Sequence, residues 1–351
     1  MIKSIDIENF RCFHKTKIDG FKRINLIGGQ NNGGKTSLLE AIQLGCWPSG
    51  QVLNGLQYGV RLFDKGILAV EPKRYWLNLF YELKEQTISI SVFDDTKGLG
   101  HAQIAFDNVS DEVITTSFNQ NTIGVPSSKL KTKFYWEGQT ARNYSMASAN
   151  SDGTIQAQNG PGLKKIRFIP ATGWLNQNEL VYYFDLMKSK DEPSFFLDIF
   201  KLIDESIESI ETYNLGTANM YLRSKGRLPM PIQAYGDAIG RMANIIANLI
   251  SRQYEGILID EIENGIHYSN QKALWNMLYK IAVKLDIQVF TTTHSREMAN
   301  ALTEAANEYS FTDEAAYFEL FKHPKTGEIE ANQMDMDLLK YKLQYDKEFR
   351  G

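Results

Sequence analysis

Gly29-Gln30-Asn31-Asn32-Gly33-Gly34-Lys35-Thr36 spells G-x-x-x-x-G-K-T, and the residues on either side give it the setting a phosphate-binding loop needs. Ahead of it, Arg23-Ile24-Asn25-Leu26-Ile27 is a short apolar run bounded by glycines and reads as a buried strand. Behind it, Leu38, Leu39, Ala41, Ile42 and Gly45 keep a helical period as far as the turn cluster Pro48-Ser49-Gly50. Gly29, Gly33 and Gly34 allow the backbone to curl until several N–H groups point at one anion. The helix N-terminus adds its partial positive charge. Lys35 has the reach for β- and γ-phosphates, and the Thr36 hydroxyl can take a Mg²⁺ site. A chance match in a chain of this length has a probability on the order of one per cent at average composition. The stretch reads as a nucleoside triphosphate site.

The chain has 351 residues, enough for one large or two modest domains, and its 43% hydrophobic content supports a substantial core. A net charge of −4 argues against bulk electrostatic binding to nucleic acid, though not against a local basic patch. Two cysteines, Cys12 and Cys46, make no disulfide framework and suit a reducing compartment. Cys12-Phe13-His14 lacks a second Cys/His pair and reads as a core thiol beside a strand histidine, not as a metal site. Met1 to Ile7 alternates like a strand without the apolar region of a signal peptide, and no apolar run approaches membrane-spanning length. A soluble cytoplasmic protein, with no membrane partner, is the expectation.

Between about residues 60 and 170 the signal is β-type: Tyr75–Phe80, Thr87–Val92, Gln103–Phe106 and Lys133–Trp136, separated by turn-rich pieces, suggest an antiparallel meander. Ser148 to Gly162 is polar and rich in Gly, Asn and Ser, the composition of a mobile loop. Lys165–Pro170 reads as a strand re-entering the core. Gln177 to Ser209 reads as two short helices, with Leu180, Tyr183, Phe184 and Met187, then Phe196, Ile199, Phe200 and Ile203, at helical spacing. Residues 211 to 232 return to strand-like pieces. No internal repeat and no sustained heptad pattern is present.

A phosphate loop needs carboxylates to act with. Gly256-Ile257-Leu258-Ile259-Asp260-Glu261 is an apolar strand ending in two acids: Asp260 can hold Mg²⁺, and Glu261, turned the other way by the pleat, can polarise an attacking water. Ile287 to Ser295 is a second buried strand carrying polar residues out to His294, which could hydrogen-bond a γ-phosphate. Ser269 to Leu285 is a helix between them, so strand, helix and strand make a βαβ unit and a parallel sheet. Tyr235 to Arg241 opens another amphipathic helix with a glycine at its start, a second anion site.

These pieces together resemble the RecF/SMC/OLD-like branch of ABC-type ATPases. The matching segments are Glu8–Phe13, Gly29 to Ile42, Gly236-Asp237, Leu258 to His267 and Thr291–Ser295, in the family's order and over most of the chain. The resemblance implies an α/β P-loop NTPase of ABC-ATPase head type: a mainly parallel central sheet flanked by helices, an antiparallel β meander and a small helical insertion. Within one such domain it implies a P-loop lobe over 1–170, a helical insertion with connecting strands over 171–234, and a signature and Walker B lobe over 235–351. It implies that Lys35 and Thr36 form Walker A with Asn31, Asn32, Gly33, Gly34 and Ser37, that Asp260 and Glu261 form Walker B, and that His294 is the switch histidine. Arg11 takes the place of an arginine near the nucleotide. Glu263-Asn264-Gly265 stands at the D-loop, and Tyr235 to Arg241, with Gly236 and Asp237, at the signature that caps a partner subunit's ATP. The departures are Tyr235 for the usual signature serine, Ala238 for a glycine, and a Q-loop glutamine that neither Gln51 nor Gln57 clearly supplies. The SMC coiled coil and the OLD Toprim nuclease domain are missing, and Asp335-Met336-Asp337 reads as a solvated helix start with no sheet to carry it.

The expected function is a Mg²⁺-dependent, slow ATPase that forms a homodimer around ATP and switches or positions a separate effector protein. Small heads of this kind resemble the ATPase components of bacterial antiphage modules such as Septu or PARIS. The alternative is a RecF-like DNA-binding ATPase using Lys164, Lys165 and Arg167 with Arg223, Lys225 and Arg227. A kinase or GTPase is weaker, because no Asn-Lys-x-Asp motif is present and Glu261 beside Asp260 suits water activation.

Overall fold

The structure, a computed structural model, describes residues 1–58, 71–107, 127–138, 143–171, 177–189, 197–198, 200–201, 204–214, 216–250 and 254–345. Phe196, Ile199 and Ile203 of the expected second helix lie outside them. The chain forms two compact units, one made of Met1–Phe21, Asn31–Ile166 and Leu320–Asn332, the other of Lys22–Gln30, Arg167–Glu319 and Gln333–Gly351.

In the first unit alternation of apolar and polar residues produces a sheet antiparallel throughout, of order β2-β1-β4-β5-β6-β7-β8. Its strands are β1 (Ile2–Phe10), β2 (Phe13–Asp19), β4 (Ile88–Asp94), β5 (Gly98–Phe106), β6 (Ser127–Trp136), β7 (Asn143–Asn150) and β8 (Ile155–Ala157). Helix α1 (Lys35–Cys46) lies on this sheet so closely that a Cβ at Gly45 would come 2.6 Å from a methyl of Ile90. Helix α2 (Gly50–Tyr58) follows at once. The meander is as expected, with two corrections. Tyr75–Phe80 is not a strand: Arg74–Leu77 is a single helical turn (α3), and only Phe80 bridges, to Phe10. Its rings Tyr75 and Trp76 are fully buried by that turn, and a short apolar run carries no period to tell turn from strand. Ser148–Gly162 is a loop only in part, at the turn 151–154 and over 158–162. Ser148, Ala149 and Asn150 belong to β7, which pairs β8 through Ala149↔Ile155. Small side chains there gave little hydrophobic contrast to read.

The second unit holds β3 (Ile24–Gly29), most of β9 (Ile166–Ile169), β13 (Gly256–Ile259), β14 (Gln288–Thr292) and the start of β15 (Ala315–Lys322); with β16 (Ile329–Met334) these strands take the order β16-β15-β3-β14-β13-β9. The strands β3, β14 and β13 are parallel, with Ile24 against Val289 and Gly256 against Gln288. All three are buried along their whole length, as a parallel strand covered on both faces must be. Helices α4 (Gln177–Lys188), α5 (Asp237–Ile250), α6 (Tyr268–Leu285), α7 (Arg296–Glu308) and α8 (Met336–Tyr345) complete the unit. Ile239, Met242, Ile246, Leu274, Leu278, Ile281 and Leu302 join the strand residues in one apolar core. Between Gln177 and Ser209 the expected helical stretch ends early: β10 (Ile207–Asn214) starts inside it and pairs β11 (Ala218–Ser224), which pairs β12 (Met230–Pro231). Asp335 does open a helix, its Oδ1 accepting from the Leu338 N–H, but directly from the end of a sheet strand, β16. Among the described residues no helix is long and apolar enough to cross a membrane.

Candidate functional site: a phosphate loop and paired carboxylates

Strand β3 ends at Gly29 and α1 begins at Lys35, so the G-x-x-x-x-G-K-T loop is the strand-to-helix turn that its sequence required. The curl comes from positive φ at Gly29 (128°), Asn32 (60°) and Gly34 (90°). Gly33, expected to share it, does not; Asn32 does, being one of the few side chains that tolerates this region. At Gly34 the reason for glycine is spatial too, since a Cβ would sit 2.8 Å from Cys12 Sγ and 3.2 Å from the Phe13 ring. Lys35 is 4% exposed, Ser37 is buried and Thr36 half-buried, while Asn31 and Asn32 lie at the surface. The first turn of α1 carries no acidic residue to compete with an anion. A cradle closed to any side chain at Gly34, a lysine and a hydroxyl fit a bound phosphate and a hard, oxygen-seeking cation.

Arg11 stands in the turn between β1 and β2 with φ 52°. Its Nε donates to Glu40 Oε2 (2.8 Å), Nη2 to Glu40 Oε1 (3.3 Å) and Nη1 to the Asn78 carbonyl (2.9 Å). Glu40 is fully buried on α1, five residues beyond Lys35, so this bidentate pair braces the helix that follows the glycine loop. Asn78 in turn exchanges two amide hydrogen bonds with Gln57, at 2.7 and 2.9 Å. Gln57 is thereby a buried partner in this network, while Gln51 is exposed. Sequence reasoning had no signal for Glu40 beyond its being a charge on an apolar helix face.

The parallel sheet brings three carboxyl ends together: that of β3, where the phosphate loop starts, that of β14, followed by His294, and that of β13, followed by Asp260 and Glu261. The pleat does not separate the two acids as expected, because the chain has already left the strand. Glu261 has φ 47°, in the left-handed region, a conformation that costs a residue with a Cβ about 1–3 kcal/mol. Thr292, the last residue of β14 and fully buried, holds this turn. Its hydroxyl donates to Asp260 Oδ1 (2.6 Å) and accepts from the Glu261 N–H (2.8 Å), and its carbonyl accepts from the Ile262 N–H (3.0 Å). Asp260 is 6% exposed; Glu261 Oε2 accepts from Asn264 Nδ2 (2.8 Å). His294 Nε2 lies 3.9 Å from Glu261 Oε1, and the His294 N–H donates to Glu263 Oε1 (2.6 Å). Asp260, Glu261, Asn264 and His294 are therefore brought together with Glu263, named in the sequence at the D-loop, and with Thr292 as a member that sequence reasoning missed. Thr292 was legible only as one of three consecutive threonines, without a mark of which one faced the acids.

Around the signature segment a 3-10 turn (Ile232–Tyr235) leads through Gly236, φ 88°, into α5 at Asp237. The Asp237 and Ala238 side chains lie outside the described residues. Tyr235 donates its hydroxyl proton to the Leu222 carbonyl (2.8 Å). Arg241 is 7% exposed and turned inward: Nη1 donates to the Pro170 carbonyl (2.6 Å) and Nη2 to that of Asp260 (2.7 Å), tying the chain after β9 to the chain after β13. Burial pulls its pKa below the usual guanidinium value, against the opposing pull of Asp260, Glu261 and Glu263. The basic triplets weighed for DNA are partly neutralised: Lys164 Nζ is 2.7 Å from Asp94 and Arg223 Nε is 2.7 Å from Glu211. Among the described residues no group of three or more His, Cys, Asp or Glu is placed to hold a metal ion by itself.

Comparison with known proteins agrees with this architecture. The model of the AAA domain family matches residues 4–215, and that of the AAA ATPase domain matches residues 242–299. A protein of Helicobacter pylori named ATP/GTP phosphatase is 26% identical over 348 residues, covering 91% of this chain and 92% of its own. A solved SMC head bound to the C-winged helix domain of ScpA superposes with a TM-score of 0.53 at 12% identity, over 96% of this chain and 98% of that one, a likeness of fold. With a family model spanning most of the chain, a strand–loop–helix turn of phosphate-loop sequence and two consecutive acids at the end of a parallel strand, this chain belongs to the AAA domain family and has the fold of an SMC/RecF-like ABC-type ATPase head.

Proposed function

We propose that this chain binds and hydrolyses ATP, and that its nucleotide state controls a homodimer which switches or positions a partner effector protein. The observation that carries the reading is the order of three adjacent parallel strands, β3, β14 and β13, whose carboxyl ends lead respectively into the phosphate loop, to His294 and to the Asp260-Glu261 pair. In this reading the loop N–H groups and Lys35 bind the β- and γ-phosphates, with Asn31, Asn32 and Ser37 lining the same loop. Thr36 and Asp260 would hold magnesium, which when bound supplies positive charge against that developing on the phosphoryl oxygens. Glu261 orients a water and accepts its proton while the water oxygen bonds to the γ-phosphorus; the bond to the bridging oxygen breaks and ADP leaves with that electron pair. His294, beside Glu261, hydrogen-bonds the γ-phosphate. Asn264 steadies Glu261, while Gly236 and Asp237 lie where the family caps a partner subunit's ATP. Sharing each nucleotide between subunits would make dimerisation cooperative with binding. The effector, and a place in bacterial antiphage defence, rest on the resemblance to small heads that lack a coiled coil and a nuclease.

The name of the Helicobacter pylori relative includes GTP, so the test uses both nucleotides. Phosphate release should be measurable with ATP, absent in Lys35→Ala because binding is lost, and slowed roughly 10²–10³-fold in Glu261→Gln with binding retained. Turnover of Glu261→Gln equal to that of the natural chain would remove Glu261 from this role. Faster release from GTP than from ATP would overturn the choice of substrate.

A further inference from the structure

We propose that Thr292 is the positioning residue of the hydrolytic site: through one hydroxyl it sets the turn that aims Glu261 and orders Asp260. The inference rests on the hydrolytic reading above. Its ground is geometric. Three consecutive residues, Asp260, Glu261 and Ile262, are pinned to this one side chain and its carbonyl, at 2.6, 2.8 and 3.0 Å. The middle residue of the three is held at φ 47°, where a glutamate does not rest unaided. The strained residue is also the one with the carboxylate assigned to the water, and a backbone held in this region at such a position serves preorganisation.

A hydroxyl is needed here because the two partners ask for opposite things. The Asp260 carboxylate oxygen needs a donor and the Glu261 N–H needs an acceptor, and one O–H group provides both. Thr292 is fully buried, so water cannot substitute for it. Its register is fixed by the parallel ladder, with Thr292 opposite Ile27 and Thr291 opposite Ile259. Thr291 spends its own hydroxyl on the Asn25 carbonyl (3.3 Å) and Thr293 accepts from the Ser295 N–H (2.9 Å). Of the three threonines, only Thr292 hydrogen-bonds to the acids through its side chain among the described contacts. Asn264 restrains the other end of the same glutamate at Oε2, so the main chain and carboxylate of Glu261 are fixed by different residues.

The test compares Thr292→Val, nearly the same shape without the hydroxyl, with Thr292→Ser, which keeps it. The valine variant should lose kcat on the order of 10²-fold, the scale of a misaimed group, while nucleotide affinity stays within about twofold. The serine variant should stay within about threefold of the natural chain. In a Glu261→Gln background Thr292→Val should add far less than its loss in the natural chain, about tenfold at most, since only its hold on Asp260 is left to lose. A crystal structure of Thr292→Val should show Glu261 out of the positive-φ region. Should the valine variant fail to fold, Thr292→Ala against Thr292→Ser carries the same comparison. A valine variant with natural kcat while Glu261→Gln is slow would overturn this inference alone, as would fully additive losses. A Glu261→Gln variant with natural turnover overturns the hydrolytic reading and this inference with it.

Discussion

Arg11 and Gly34 show how much of the phosphate-loop half is set by single side chains. The resemblance to ABC-type ATPases expects Arg11 near the nucleotide, while the structure has its guanidinium on Glu40 and the Asn78 carbonyl. The two readings separate cleanly. A bracing role means that Arg11→Met, which strands a fully buried carboxylate, lowers stability by about 3 kcal/mol, and that Arg11→Met/Glu40→Met recovers most of it. Chemical denaturation would measure both. An Arg11→Met chain with unchanged stability but lost ATP binding would return Arg11 to the nucleotide. At Gly34 a methyl group meets the Cys12 sulfur at 2.8 Å with φ at 90°, two penalties at once. Gly34→Ala should weaken ATP binding by at least about tenfold, roughly 1.4 kcal/mol of displaced loop, in equilibrium titration. Affinity within twofold of the natural chain would mean that the cradle yields.

Between elements, buried polar groups add specific ties to the apolar core. Arg241 joins the ends of β9 and β13, so Arg241→Met should loosen Asp260 and lower both stability and turnover. Asp94, at the end of β4, accepts from Thr96 and Lys97 and pairs with Lys164. Burial alone would raise its pKa; the Lys164 ammonium and the Thr96 hydroxyl and N–H outweigh that and hold it well below the carboxylate range. A depressed native pKa gives stability that is full above the unfolded value, about 3.9, and is lost as pH falls below it. Asp94→Asn should therefore flatten the acid limb of a melting-temperature profile while lowering stability near neutral pH. What the sequence made legible follows from the same physics. β3, α1, β13, α6 and β14 stood out because each is long enough, or apolar enough, to display its period. Tyr75–Phe80 and β7 did not, one a buried helical turn without a period, the other built of Ser, Ala and Asn with little contrast. Asp260, Glu261 and His294 were visible at strand ends; Thr292 and Glu40 were not, because their partners come from elsewhere in the chain.

For the molecule as a whole, a net charge of −4 and the pairing of Lys164 and Arg223 leave the DNA-binding alternative with fewer free cations than the sequence offered. A nucleotide-controlled association between copies is the stronger reading, because two of the residues expected at the nucleotide, Gly236 and Asp237, belong to the segment that the resemblance to ABC-type ATPases assigns to a partner subunit's ATP. The most direct measurement is the solution mass of Glu261→Gln, by light scattering after size exclusion, with and without Mg-ATP. The expected result is a 40.0 kDa monomer that doubles in mass when ATP is added. A mass that ignores ATP, whether it stays at one chain or is already that of an oligomer, would contradict dimerisation around the nucleotide.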